Sequence, residues 1–338
     1  MRAGAMRLAL ALAAGLASGL AAGLPDAAGA GERARKGRGA TEAGVGGTVL
    51  LRLLNADVSA RATGALAMLG ITAVPSETAS TLQLDSSVGE GNSFFASQLG
   101  GAFTISDSVP LYLEGFVGYS RYDPVFVFTD GTSRSRLPTK WTTLGAEGGI
   151  GWDFKLTDTL IFRPIVNVAV GHVESDASLL GRIINRRFGL DLEFLEDGRM
   201  TAGGFGASLM LDYEYHSDAY DADVELRYTH LHLEPIAGSK AIDASSNAAT
   251  VGLWSRLRVP TGIDLFGGPL RAVFEGSGSW LPGDQGEVLQ TRWLAQAGLG
   301  IEFDTEQTIL PLSRVRIVAR QTIGRSLTGY SLGLSASF

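Results

Sequence analysis

The sequence predicts an all-β fold: a transmembrane antiparallel up-and-down β-barrel of about twelve strands, preceded by a short N-terminal α-helix. Three observations predict it. From Ser80 to the last residue, successive segments alternate apolar side chains with small or polar ones, and a period of two gives a strand two different faces. The links between segments alternate short and long, as periplasmic turns and extracellular loops do. Third, 45% of the 338 residues are hydrophobic and only 19% charged. Beyond the amino-terminal segment, no apolar run reaches the ~20 residues of a spanning helix.

Composition narrows the chemistry. The chain has no cysteine, which removes disulfide frameworks, thiol nucleophiles and cysteine-ligated zinc together. Its formal charge is −7 and no basic patch is concentrated, so nucleic acid is not an expected partner. No cofactor and no metal are expected.

The chain opens with Arg2 and Arg7, then an Ala/Leu/Gly run from Leu8 to Leu24, Pro25, and Ala28-Gly29-Ala30. That order is the n, h and c regions of a signal peptide, with cleavage after Ala30. The expected organisation is residues 1–30 signal peptide, 31–78 linker and amphipathic helix, and 79–338 barrel. Residues 31–47 lack periodicity and read as a linker. From Thr48 to Leu69, one helical face carries Thr48, Arg52, Asn55, Ser59 and Thr63. Leu50, Leu53, Leu54, Val58, Leu66 and Leu69 take much of the rest, with Asp57 and Arg61 as an i,i+4 pair. The charges Arg52, Asp57 and Arg61 argue against a lipid-spanning helix. A helix plugging the lumen fits this pattern, and so does a periplasmic amphipathic spacer.

The strands follow in order, the lipid-facing set named first in each. Leu82 and Leu84 stand against Thr81 and Gln83. Phe95, Leu99, Phe103 and Ile105 oppose Gln98, Gly100 and Thr104. Leu111, Leu113, Val117 and Tyr119 oppose Glu114 and Ser120. Leu144, Ala146, Ile150, Trp152 and Phe154 oppose Gly145, Glu147, Gly149, Gly151 and Asp153. In the next segment Val166, Val168 and Val170 oppose Arg163, Asn167 and Gly171, with Pro164 expected to cause a bulge or an early end to pairing. Similar alternation runs through 205–214, 223–228, 250–259, 270–280, 292–303 and 314–320. The last segment sets Tyr330, Leu332, Leu334, Ala336 and Phe338 against Ser331, Gly333, Ser335 and Ser337.

Short links lie at Ser106–Ser108, Leu156–Asp158, Ser217–Ala219, Pro260–Pro269 and Thr305–Pro311; longer ones lie at Arg121–Lys140, Glu174–Met200, Leu233–Asn247 and Leu281–Leu289, with Gly324–Leu327 a tight exception. With the short turns periplasmic, both chain ends are expected in the periplasm. Trp152, Phe154, Phe162, Tyr213, Tyr215, Tyr220, Phe303 and Phe338 then form one aromatic girdle. Tyr119, Trp141, Tyr228, Trp280, Trp293 and Tyr330 form the other.

From roughly Thr48 to Phe338 the chain resembles the solitary outer-membrane autotransporter-like β-barrel family. The resemblance rests on the exported amino terminus without a passenger, the helical stretch before the first strand, the strand number and the terminal aromatic residue. It implies an outer-membrane barrel of a Gram-negative cell envelope, and membership assigns no specific activity. The terminal SLGLSASF, with Tyr330, Leu332, Leu334 and Phe338, resembles the signal read by the barrel assembly machinery. The implied partners are that machinery, outer-membrane lipid and lipopolysaccharide.

Candidate chemistry is sparse. His230 and His232 share a face at i,i+2 near the long-loop end, which suits a metal only with a third ligand; the expected reading is a pair of interfacial histidines at the outer girdle. Glu234 is a third ligand only if the strand stays regular through Pro235. A lipid hydrolase would need a serine sharing a face with a histidine, and none does at close spacing. The lumen is the richer candidate. Glu114, Glu147, Arg163, Glu225, Arg227, Arg256, Arg292, Arg316 and Arg320 take inward parity, acids dominating early strands and arginines later ones. This reads either as a polarised pore selecting charged solutes or as ion pairs filling a narrow lumen. Residues 179–188 mix apolar and arginine side chains; the expected reading is an ordinary folded extracellular loop, and the alternative is a short surface helix near lipopolysaccharide phosphates. The expected function is a structural or plugged, narrow-pore barrel without enzymatic activity. A small-solute channel is the alternative, and a lipid hydrolase is a more distant one.

Overall fold

A computed structural model of the chain describes residues 63–72, 79–86, 93–123, 125–129, 134–138, 140–175, 199–237, 244–265, 268–305, 313–325 and 327–337. The chain divides into two units, Met1–Asp57 with Phe338, and Val58–Ser337; every described residue belongs to the second. Ala28, Ala30, Arg52, Asp57, Arg61, Phe338 and the 179–188 stretch therefore lie outside the described residues.

Helix α1 spans residues 63–72. The strands are β1 (Ala79–Ser86), β2 (Ser93–Thr104), β3 (Leu111–Asp123), β4 (Val125–Thr129), β5 (Arg134–Pro138), β6 (Trp141–Trp152), β7 (Phe154–Lys155) and β8 (Leu160–Ser175). They continue as β9 (Arg199–His216), β10 (Asp221–Ala237), β11 (Ser246–Leu265), β12 (Gly268–Trp280), β13 (Trp293–Asp304), β14 (Arg314–Gly324) and β15 (Leu327–Ser337). Helix α2 (Asp284–Val288) lies between β12 and β13.

Each strand pairs antiparallel with its sequence neighbour, except that the β4–β5 hairpin stands apart and β3 pairs with β6. The ring closes through β1 and β15, in register from Ala79↔Leu334 to Ser86↔Leu327. Closure leaves no edge strand, which is the condition for satisfying backbone groups in lipid. β6 and β7 are two pieces of one spanning strand, so the barrel has 12 strands.

The gap between β6 and β7 falls opposite Pro164. Pairing runs Gly151↔Ile165 on one side and Phe154↔Phe162 on the other without a change of register. The missing proline N–H interrupts the ladder there; no bulge forms, and β8–β9 pairs continuously through Pro164↔Leu209. At Pro260 the outcome also differs from a simple link. β11 and β12 extend past it as a hairpin, with a register shift between Pro260 and Ile263. Gly262 takes a φ of 75° there, a value that glycine adopts without strain.

The outer face is a belt of large exposed apolar side chains on strands all round the ring. It includes Phe103, Val117, Leu144, Ile150, Val168, Phe205, Leu253, Phe274, Leu299, Ile317, Leu332 and Leu334. Water would not tolerate an apolar surface of this extent, far above the few hundred Å² usual for soluble monomers; lipid would. Tyr330, Leu332 and Leu334 are among the exposed set, at 69%, 56% and 53%.

Two expected orientations are reversed. Leu84 is fully buried in the lumen and Leu82 packs beside it, so Thr81 and Gln83 take the outward side of β1. Trp141, expected in an aromatic girdle, is buried in the lumen at 5% exposure. Both corrections have one cause: the lumen near the long-link end is itself apolar, so period two no longer separates core from lipid there.

Candidate functional site

The lumen has two halves with different chemistry. At the long-link end α1 lies inside the barrel. Ala65, Leu66, Ala67, Met68 and Leu69 are at most 1% exposed. Ala65, Leu66, Met68 and Leu69 pack in one cluster with Leu84, Phe94, Tyr122, Trp141, Val173, Met200, Leu231, Leu233, Ala248, Leu281, Leu289 and Leu327. Gly64 lies against the Trp141 ring, whereas Leu69 and Thr72 lie deeper, against Gly145, Gly171 and Gly118. Thr63 is thus at the long-link rim and Thr72 toward mid-barrel.

The seat for the deep end of α1 is a row of glycines. Gly118 pairs with Gly145 and Gly145 with Gly171 across β3, β6 and β8. A Cβ at Gly145 would come within 2.8 Å of Leu69 Cδ1, and one at Gly171 would meet the same methyl group still more closely. At Gly118 it would run into the Thr72 carbonyl oxygen. Polar ties are few. Thr72 Oγ1 donates to Met68 O at 2.9 Å, lies 2.6 Å from Ser120 Oγ, and Gln98 Nε2 donates to Thr72 O at 3.2 Å.

Helix α2 covers the same end. Gln285 is fully buried and bonds the backbone of Ala249 in both directions, Nε2 to O at 2.6 Å and N to Oε1 at 3.2 Å. Asp284 Oδ2 accepts from Asn247 N at 2.8 Å, and Tyr122 Oη donates to Val288 O at 3.2 Å.

The short-turn half is ionic. Arg227 forks onto Glu114, Nη1 to Oε2 at 2.9 Å and Nη2 to Oε1 at 2.6 Å, although 113 residues separate them. Asn167 Nδ2 reaches Glu114 Oε1 at 2.8 Å and Glu147 Oε1 at 2.5 Å. Arg163 pairs with Asp153 and Asp212, and its guanidinium lies 4.0 Å from the Tyr112 ring centre. Arg256 and Arg258 hold Asp223, Arg271 holds Asp221, Arg316 holds Glu302, and Arg320 holds Glu275. Forked, charge-assisted contacts of this kind suit buried arginine.

Of the residues expected to line the lumen, Glu114, Glu147, Arg163, Glu225, Arg227, Arg316 and Arg320 are buried inside it, and Arg256 is partly buried with them. Arg292 is not. It lies in the turn ahead of β13 with its side chain 64% exposed, paired to Glu287 at 3.4 Å. β13 begins at Trp293, so strand parity does not extend to Arg292. Tyr112, Asn167, Ser208 and Thr229, which complete the Glu114 cluster, are residues for which charge parity gave no signal. Their inward position was nevertheless readable from alternation.

His230 and His232 do share the outward face, and β10 continues far enough for Glu234 to bond His232 at 2.9 Å. Asn247, not a third acid, takes the other ring nitrogen at 2.9 Å. Among the described residues, no group of three or more His, Cys, Asp or Glu is placed to hold a metal ion.

A closed ring, a lipid-compatible outer belt and a filled interior define the class: a membrane-spanning β-barrel. No family model matches the chain, and no curated protein matches it. Solved outer-membrane barrels do, distantly. The β domain of the Bordetella autotransporter Brka is 12% identical, covering 77% of this chain and 96% of that one, with a TM-score of 0.43. The transport unit of the autotransporter AIDA-I from Escherichia coli is 13% identical over 77% and 88%, with a TM-score of 0.41. LpxR from Salmonella typhimurium is 9% identical over 77% and 99%, with a TM-score of 0.40.

Proposed function

We propose that this chain is an integral outer-membrane barrel of a Gram-negative envelope, autotransporter-like, whose lumen is sealed by its own residues. The observation that carries this reading is α1, which lies buried in an apolar half-lumen above an ion-paired one. The role is structural or that of a plugged, narrow pore, and not enzymatic. In this reading the short turns face the periplasm, and so does the end of β15. Tyr330, Leu332 and Leu334 present the face by which the assembly machinery recognises the last strand, and outer-membrane lipid and lipopolysaccharide surround the belt.

The alternative is a channel for small charged solutes. Its support is the density of inward charge. Against it stand the pairing of those charges with one another and the apolar lining above them, which gives a hydrated ion no partners. Planar-bilayer conductance decides between the two. The wild-type barrel is expected to be silent at neutral pH, and a 31–72 deletion, checked for folding by its heat-shifted gel mobility, is expected to conduct. Steady wild-type conductance would overturn the sealed reading.

A further inference from the structure

The lipid-facing belt has one break. Among the described residues, every spanning strand except β1 turns at least one large, exposed apolar side chain outward, from Phe103 on β2 round to Leu332 on β15. β1 keeps Leu82 and Leu84 for the lumen and turns Thr81, Gln83 and Asp85 out instead. The polar stretch widens on both sides. On β2, Ser97 lies beside Thr81 and Ser93 beside Asp85, and on β15 Thr328 lies beside Asp85. On β3, Arg121 and Asp123 form an ion pair on the outer face, Nη2 to Oδ2 at 3.2 Å. Gln83 Nε2 donates to Asp85 Oδ1 at 3.1 Å. Phe95 and Tyr119 stand among these groups with their ring centres 6.3 Å apart.

Lipid gives amides, hydroxyls and carboxylates no partners, so a patch of this kind in the belt calls for a polar cover. Lipopolysaccharide phosphates match it poorly. Phosphate is drawn to basic clusters, and here two acids, Asp85 and Asp123, stand against one base, Arg121. A second copy of the chain matches it well. Close packing in a membrane uses small side chains that let backbones approach and polar groups that bond across the contact. Thr81, Ser93, Ser97 and Thr328 are small, and their hydroxyls, like the Gln83 amide, both donate and accept.

Strand tilt brings the charges into register. Two copies with the same orientation in one membrane relate by a two-fold axis along its normal, an isologous contact in which groups of equal height meet. The glycine row shows the sense of the tilt: it meets Thr72 at Gly118 on β3, and Leu69, nearer the long-link rim, at Gly171 on β8. Rows therefore climb toward that rim from β1 to β3. At a tilt of about 40°, two strands along a row climb about 6 Å and two residues along a strand climb about 5 Å. Arg121 shares the row of Gln83 and Phe95, so it stands level with Asp85, two residues above Gln83, with β2 between them. An axis through β2 lays Arg121 of each copy opposite Asp85 of the other. A guanidinium has five donors and can hold two carboxylates, so the contact with Asp123 is kept.

We propose that the outward face of β1–β3 is a homodimer interface, closed by reciprocal Arg121–Asp85 pairs on either side of a two-fold axis at β2. The inference needs only the membrane barrel, and it holds whether or not the lumen is sealed.

The test uses the purified full-length barrel in lipid vesicles. The chain has no cysteine, so a single introduced cysteine forms a disulfide only with a second copy. Ser97→Cys, beside the axis, is expected to give at least tenfold more cross-linked dimer under mild oxidant than Leu226→Cys, an exposed position on β10 across the ring. Equal cross-linking at the two sites would overturn the proposal. In the S97C chain, Asp85→Arg and Arg121→Asp are each expected to cut cross-linking at least tenfold, and the two together to restore it. Heat-shifted gel mobility checks that each variant is folded. A single variant that cross-links like its parent, or a folded double variant that does not recover, would sink the idea. A wild-type barrel extracted at the mass of one copy, with lipopolysaccharide phosphate bound, would assign the patch to lipid and overturn it as well.

Discussion

The two halves of the lumen solve the same packing problem with opposite chemistry. At the long-link end the filler is a helix, and wall and helix meet through Leu, Met, Val and Trp side chains, with Ser120 and Gln98 of the wall hydrogen-bonded to Thr72. At the short-turn end the wall fills itself, with arginine forks laid across acids from neighbouring strands and, at Glu114–Arg227, across the lumen. The difference teaches where each half is vulnerable. An apolar half loses stability in proportion to the volume removed. An ionic half tolerates removal of a pair and suffers from removal of one partner, because the survivor is a buried charge without compensation.

That contrast can be broken most severely at Arg227. Arg227→Met strands the Glu114 carboxylate and is expected to cost about 3–5 kcal/mol, read by urea unfolding in lipid vesicles. Adding Glu114→Gln should recover most of the loss, and a double variant as unstable as the single one would show that the pair is not the unit. In the apolar half Leu231→Ala, at a fully buried position, is expected to cost about 3 kcal/mol in the same assay, with no pH dependence. A smaller effect sharpens the fit between helix and wall. Gly171→Leu pushes into Leu69 and is expected to cost about 2 kcal/mol, a loss that Leu69→Ala in the same chain should relieve. If the double variant is simply additive, α1 does not rest on the glycine row. Smallest is Arg292→Ala at the exposed rim, expected to change stability by less than about 1 kcal/mol and to leave conductance unchanged.

The outward face was legible because it is governed by one rule. Lipid asks for apolar side chains at alternate positions, and Leu144, Val166, Val168, Phe205, Leu332 and Leu334 obey it wherever they fall. The inward charges were legible for the same reason, since a charge at the other parity has only the lumen to face. The rule fails where both faces are apolar. In β10, Leu231 and Leu233 point inward while Tyr228 points outward, and β1 has its leucines inside and its polar residues out. Nothing in the alternation of these segments separates core from lipid. The inward glycines 118, 145 and 171 carried the missing signal, as a gap in the wall at one height, but their alignment depends on strand register.

The sequence by itself determined the membrane barrel: strand number, alternating links, closure of the last strand on the segment around Leu82–Leu84, and the parity of most charges. These are local properties, repeated in each segment, and period two makes them readable one strand at a time. The tertiary structure alone decided what fills the lumen. Which acid meets which arginine, and that an apolar half-lumen with a glycine seat receives α1, depend on side chains from strands far apart in sequence being brought to the same height. Register and ring closure set that height, and no single segment encodes it.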